Sequence, residues 1–241
     1  MTFDIKIFAD GASIDDMRAW ARNPLVKGFT TNPTLMRRAG VREYARFAKE
    51  AIAAIPNRPI SFEVLSDDWA EMAGQAREIA TWGPNAVVKI PITNTRGEPT
   101  APLIRQLSCD GIRVNVTAVL TLAQVGAAVE ALRGGAASNV SIFAGRIADT
   151  GRDPAPIVSR ALDIAADVPS IEVIWASPRE VWNVYQANAL GCHIITLTTE
   201  LLAKLPLQGK DLQQVSLETV RMFHADAVQA GLTLKTPAQT T

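Results

Sequence analysis

The sequence is poor in the residues that build metal centres and disulfide frameworks. Its 241 residues include only two cysteines and two histidines. Cys109 and Cys192 make no ligand spacing and no set of bridges, so two reduced thiols are expected. His193 and His224 lie far apart, which argues against a histidine-based metal site. Charge of one sign is not in excess either: Lys plus Arg and Asp plus Glu both number 24. A global footprint for nucleic acid or an anionic membrane is therefore missing, and any phosphate must be held by a local cluster. No apolar run approaches the ~20 residues of a membrane span. The opening Met1–Lys6 has neither the basic region nor the apolar core of a secretory signal. A cytoplasmic protein without nucleic-acid or membrane partners is the expectation.

With 48% hydrophobic and 20% charged residues, the chain has ample material for one large core. Strand candidates run over Ile5–Asp10, Lys27–Asn32, Ile60–Leu65, Ala86–Ile92, Ile112–Val119, Asn139–Gly145, Ser170–Ser177 and Cys192–Thr198. Helical patterns fall between them: Gly11–Asn23, Val41–Ile55, Asp67–Thr81, Pro102–Cys109, Thr121–Arg133, a stretch ending at Ala166, and Pro178–Leu190. Strands recurring every ~20–35 residues with intervening helices are the signature of an α/β fold, a single (β/α)8 (TIM) barrel over 1–241. An open doubly wound sheet is disfavoured, because no Gly-rich phosphate fingerprint follows the first strand. A short helix over Thr199–Leu205 follows the eighth strand. An additional C-terminal helix is expected over 211–231, with Leu217, Val220, Phe223 and Val228 along one side, and a disordered tail over 236–241.

Lys89 stands in the middle of the apolar run Ala86-Val87-Val88-Lys89-Ile90-Pro91-Ile92. An ammonium there either reaches water or loses its proton, since burial can depress a lysine pKa by up to ~3–5 units. A neutral amine near pH 7 is a nucleophile for carbonyl carbon. The alternative is a lysine at a strand end whose head escapes to solvent. Strand alternation bears on the choice. With Lys89 inward, Val88, Ile90 and Ile92 face the helices. So do Phe62 and Val64; Ile112, Val114, Val116 and Ala118; Val140, Ile142 and Ala144; and Ile5, Ile7 and Ala9. The inward parity then carries Asp10, Glu63, Lys89, Asn115, Thr117, Ser141 and Phe143. Buried polar groups without partners cost ~1–3 kcal/mol each, so this cluster calls for mutual hydrogen bonds or a ligand. Most of it sits toward the strand ends, where barrel active sites are built.

Arg146 follows Phe143-Ala144-Gly145, and Arg179 follows Ala176-Ser177-Pro178. Two guanidinium forks, the Ser177 hydroxyl and the amides of a helix starting at Pro178 make a candidate phosphate site. The alternative is two surface arginines paired with Asp149 and Glu180.

On these residues the chain resembles the transaldolase family, including its short fructose-6-phosphate-aldolase-like members. The most specific blocks are Thr30-Thr31-Asn32-Pro33, Val88-Lys89-Ile90-Pro91 and Gly145-Arg146-Ile147. The resemblance implies a cofactor-free enzyme of sugar-phosphate metabolism, the pentose phosphate pathway included, and a homo-oligomer that is pentamer- or decamer-based. It implies that Lys89 forms a Schiff base with a ketose phosphate, that Asp10 handles the hydroxyl proton, and that Glu63 and Thr117 hold the catalytic water. Thr30, Asn32, Asn115, Ser141 and Phe143 are then substrate-binding, and Arg146, Ser177 and Arg179 phosphate-binding. Glu63 stands where the aldolase branch has glutamine, and Phe143 where it has tyrosine, which points to transfer of a dihydroxyacetone unit. The alternatives are release of free dihydroxyacetone, or a non-catalytic barrel that binds sugar phosphates. Thr34 replaces the usual serine, and Pro178 replaces an aromatic, so the phosphate loop is expected to differ in shape.

Overall fold

The computed structural model describes residues 3–234. Eight parallel strands close into a barrel in sequence order: β1 (Lys6–Asp10), β2 (Val26–Thr30), β3 (Ile60–Glu63), β4 (Ala86–Pro91), β5 (Val114–Val119), β6 (Ser138–Ile142), β7 (Ile171–Trp175) and β8 (Ile194–Thr198). Each of the four strands from β3 to β6 is nearly solid with β-branched or aromatic residues on its outward parity. Phe62, Val88, Ile90, Val114, Val116, Val140 and Ile142 are all fully buried. Helices cover them, with α5 (Ala101–Cys109) on α6 (Leu122–Leu132) and α6 on α8 (Ala155–Ala165). Each such side chain contributes roughly 1.5–3 kcal/mol by leaving water.

Local chemistry sets the helix starts. Ser13 caps α1 (Ile14–Ala21) by accepting from the Asp16 amide, with Asp15 and Asp16 in the first turn. Asn32 caps α2 (Pro33–Arg38), a helix not anticipated from sequence, with Pro33 at the position where its missing N–H is harmless. The helix expected from Val41 begins later, as α3 (Tyr44–Ala54). Asp68 caps α4 (Trp69–Thr81), and Thr121 with Gln124 forms a full capping box on α6.

Besides a register shift of β2 against β1 between Ile7 and Phe8, three segments depart from simple alternation. In β5 the register shifts between Val116 and Val119, and Ala118 takes a left-handed φ of 59°. Ala118, expected to face the helices, is turned toward the barrel mouth instead. β6 ends at Ile142, so Phe143 is the N-cap of a short helix α7 (Ala144–Ala148) and not a strand residue. Finally, α9 (Trp182–Ala189) starts four residues later than Pro178. Ser177 instead makes a left-handed turn at φ 60°, and the Arg179 and Glu180 amides both donate to Asn183 Oδ1. The helix-terminal amides expected beside Ser177 are thus already used.

By strand parity, Phe8, Ile174 and Ile194 point into the barrel below the polar residues and form a buried cluster with Ala176, against which Phe143 packs. Gly28 permits this plug: a Cβ there would lie 2.6 Å from the Phe8 ring. One compact unit holds the barrel and ends at Ala203, within α10 (Thr199–Lys204), and a second begins at Lys204. The second unit carries the C-terminal helix, α11 (Leu212–Gln229), capped by Asp211 and without a buried residue. The expected disordered tail, 236–241, lies outside the described residues. No helix among the described residues is long and apolar enough to cross a membrane.

Candidate active site

Strand register delivers the central row. Glu63 pairs with Lys89 and Lys89 with Asn115, so three neighbouring strands present a carboxylate, an amine and an amide at one level. Asp10 pairs with Thr30 on the other side of the barrel. The Lys89 side chain is only 8% exposed, and its Nζ lies 3.4 Å from Glu63 Oε2. It also donates to the Thr31 carbonyl at 2.7 Å. Thr31 is available for this because its own amide and hydroxyl both bind the Ser61 carbonyl, which orients the segment. Lys89 therefore does not escape to bulk water along its stem. It is held inside.

Asn115 is fully buried and tied on both sides: Ser141 Oγ donates to its Oδ1 at 2.7 Å, and its Nδ2 donates to Ser61 Oγ at 3.2 Å. Thr117 Oγ1 is buried, has no hydrogen-bond partner among the described residues, and lines the cavity. Asp10 accepts from Thr30 Oγ1 at 2.8 Å and from Asn32 Nδ2 at 3.5 Å. Asn32 thus does two jobs, since its Oδ1 caps α2 at 2.9 Å from the Leu35 amide. Burial raises the Asp10 carboxyl above its ordinary value; Lys89 and the Thr30 hydroxyl oppose that effect, and Glu63 adds to it. Behind Glu63, Tyr44 donates its hydroxyl to the Glu63 carbonyl at 2.9 Å.

All twelve expected residues line one cavity of about 420 Å³: Asp10, Thr30, Asn32, Glu63, Lys89, Asn115, Thr117, Ser141, Phe143, Arg146, Ser177 and Arg179. That volume suits a small molecule. The two arginines expected to bind phosphate differ. Arg179 is paired with Asp149, its Nε donating to Oδ1 at 2.9 Å and its Nη2 to Oδ2. Half of the surface-pairing alternative is therefore realised. Among the described residues Arg146 makes no ion pair with a carboxylate, and its guanidinium lies over the Phe143 ring, 6.0 Å from the centroid. Gly145 lets the two loops meet, because a Cβ there would come within 1.5 Å of the Ser177 carbonyl oxygen.

Sequence reasoning missed Arg38, Thr196 and Ala118 in the lining, and Ser61 beneath it. Thr196 and Ser61 share the inward parity of Thr30 and Glu63, so alternation carried their signal. Arg38 sits on the unanticipated α2, and Ala118 is inverted by the bulge; neither has a signal in period-2 patterning. The lining carries four cations, Arg38, Lys89, Arg146 and Arg179, against the two carboxylates Asp10 and Glu63. A chain without net charge thus concentrates positive charge at one mouth. Among the described residues, no group of three or more His, Cys, Asp or Glu side chains is placed to hold a metal ion.

Fold and pocket together define a (β/α)8-barrel protein with a buried lysine beneath a cation-lined mouth. The chain belongs to the transaldolase/fructose-6-phosphate aldolase family, whose model, "Transaldolase/Fructose-6-phosphate aldolase", matches residues 7–239. It is 37% identical over 214 residues to a "Probable transaldolase" of Streptococcus agalactiae, covering 87% of this chain and 94% of that protein. A "Probable transaldolase" of Dehalococcoides mccartyi is 36% identical over 202 residues, with coverages of 83% and 90%. Among solved structures, one described as "Native KDPGal structure" superposes with a TM-score of 0.53 at 15% identity, covering 96% of this chain and 99% of that one. Orotidine 5'-monophosphate decarboxylase from Metallosphaera sedula gives a TM-score of 0.52 at 13% identity, covering 90% and 97%. These two share the barrel fold alone.

Proposed function

We propose that this protein is a transaldolase that moves a dihydroxyacetone unit from a ketose phosphate, fructose 6-phosphate or sedoheptulose 7-phosphate, to an aldose phosphate. The observation that carries the reading is the Lys89 amine, buried 3.4 Å from Glu63, in a chain of the transaldolase/fructose-6-phosphate aldolase family. Its free-amine form attacks C2 of the donor. A water between Glu63 and the unpartnered Thr117 hydroxyl relays the protons that convert carbinolamine to imine. Asp10 takes the C4 hydroxyl proton, C3–C4 breaks, and its electron pair enters the imine to give an enamine on Lys89. The aldose phosphate leaves, and the enamine carbon attacks the acceptor aldehyde. Asp10 returns its proton to the new alkoxide, and water frees the product and the lysine. Thr30, Asn32, Asn115, Ser141 and Phe143 position the sugar chain, and Arg146, Ser177 and Arg179 hold its phosphate. In this scheme the imine is the electron sink, so no cofactor takes part.

Sodium borohydride with fructose 6-phosphate should attach a reduced three-carbon or six-carbon adduct to Lys89, read by peptide mass spectrometry. An unmodified Lys89, with turnover kept in Lys89→Met, would sink the proposal. Acceptor dependence separates the nearest alternative. Product formation with erythrose 4-phosphate, and little free dihydroxyacetone without it, supports transfer over simple cleavage. The same reading places the protein in the cytoplasm as a homo-oligomer. Support for assembly comes from the apolar residues exposed on α11, Leu212, Val220, Phe223 and Val228. Sedimentation should give a species several times the 25.9 kDa chain mass, and a monomer at micromolar concentration would contradict it.

A further inference from the structure

β2 and β3 pair at only two positions, Phe29 with Ile60 and Thr30 with Ser61. The Phe29 amide donates to the Pro59 carbonyl at 2.8 Å, and the Thr31 amide to the Ser61 carbonyl at 3.1 Å. Continued by two residues on each side, that ladder would join the amide of residue 33 to the Glu63 carbonyl. Residue 33 is Pro33, which has no N–H and already opens α2. The ladder therefore stops one bond short of the residue whose side chain meets Lys89. Tyr44 fills the gap. It stands in the first turn of α3 and donates its hydroxyl to the Glu63 carbonyl at 2.9 Å. Its ring meets two others edge to face, Phe62 of β3 at 6.4 Å and Trp82 at 5.4 Å, and those two are 5.7 Å apart. The Trp82 indole is held in turn, its Nε1 donating to Glu78 Oε1 at 2.9 Å. A half-buried phenol between two fixed rings has little freedom to aim elsewhere. On the other edge of β3 the Val64 amide donates to the Lys89 carbonyl at 3.0 Å. The Glu63–Val64 peptide is thus clamped at both ends, its carbonyl by Tyr44 and its N–H by the backbone of the lysine itself.

We propose that Tyr44 is a positioning residue for the acid–base step. Through the Glu63–Val64 peptide it fixes the Glu63 carboxylate against the Lys89 amine, 3.4 Å away, and so governs the proton transfers that make and break the imine. The role rests on the imine reading above, in which Glu63 and Thr117 hold the water. Tyr44 is not among the residues that line the cavity, so it acts through Glu63 and not on the sugar. Proton transfer is sensitive to such support, because a displacement of ~1 Å in a reacting group can cost ~10²-fold in rate.

Tyr44→Phe keeps the ring and deletes the hydroxyl. Rapid mixing with fructose 6-phosphate, a borohydride quench and peptide mass spectrometry give the rate at which the Lys89 adduct forms. Per folded molecule, that rate should fall about ten-fold, part of the ~10²–10⁴ that a placed acid–base group contributes. Binding of glucitol 6-phosphate, which has no carbonyl and cannot react, should stay unchanged by calorimetry, since the cavity walls are intact. Tyr185→Phe, at the other tyrosine, should leave both readouts as they are. In a Glu63→Ala background, Tyr44→Phe should slow trapping no further, because the carboxylate through which it acts is gone. Trapping by Tyr44→Phe at the unmodified rate, or a loss that multiplies with that of Glu63→Ala, would overturn the proposal. So would a loss that only follows the folded fraction in a thermal melt, which marks a structural role. No adduct on the unmodified protein is a different result and removes the imine reading itself.

Discussion

Asp10 is held in surroundings that oppose the charge its proposed role demands. Burial raises its carboxyl above the ordinary value of 3.8. The unfolded chain ionises near that ordinary value, so from there upward the folded state binds more protons and stability falls as pH rises. Asp10→Asn removes this cost. Its urea midpoint should exceed that of the unmodified protein at neutral pH, and the gap should close as pH falls toward 3.8. Catalysis should respond in the opposite sense: Asp10→Asn loses turnover, and the acid limb of kcat/KM in the unmodified enzyme lies above the usual carboxylate range. A variant less stable than its parent at pH 7 would contradict the stored cost. Asp10, Glu63, Lys89 and Asn115 were legible because each sits in an unbroken stretch of strand, where a period of two assigns a face to every residue. Ser61 and Thr196 were equally legible by that rule, but a small hydroxyl on an inward face reads as filler until a partner such as Asn115 is seen.

At the scale of elements, the sequence pattern located all eight strands and lost the turns that follow them. Ala118 and Ser177 are the two non-glycine residues at positive φ among those described, and both line the cavity. Neither residue type prefers that conformation, so no local signal marks it. Tertiary contact enforces the Ser177 turn, since Gly145 packs against its carbonyl with no room for a Cβ. Gly145→Ala must therefore push α7 and the Ser177 loop apart. The expected cost is about 1–3 kcal/mol or more in a urea melt. KM for a phosphorylated donor should rise more than kcat falls, because the displaced groups are the proposed anion ligands and not the lysine. A Gly145→Ala variant with unchanged KM would show that the two loops do not cooperate in holding phosphate. The late start of α9 has the same origin: the Asn183 side chain takes the amides of Arg179 and Glu180, and no helix forms until they are passed.

At the scale of the molecule, the balance of 24 basic and 24 acidic residues leaves attraction to the short-range field of the mouth. Below that mouth the barrel is shut. Phe8, Ile174 and Ile194 fill its interior, and Gly28 is bare so that the Phe8 ring can sit there. The chamber over Lys89 is thus a cul-de-sac. Anything that enters must leave by the way it came. In the proposed transfer, the aldose phosphate released in the first half and the aldose phosphate that accepts in the second take turns in one doorway. Traffic through it has a kinetic signature: parallel double-reciprocal lines when donor and acceptor are varied, with excess acceptor inhibiting by occupying the empty chamber before the donor. Intersecting lines would mean that both sugars fit at once.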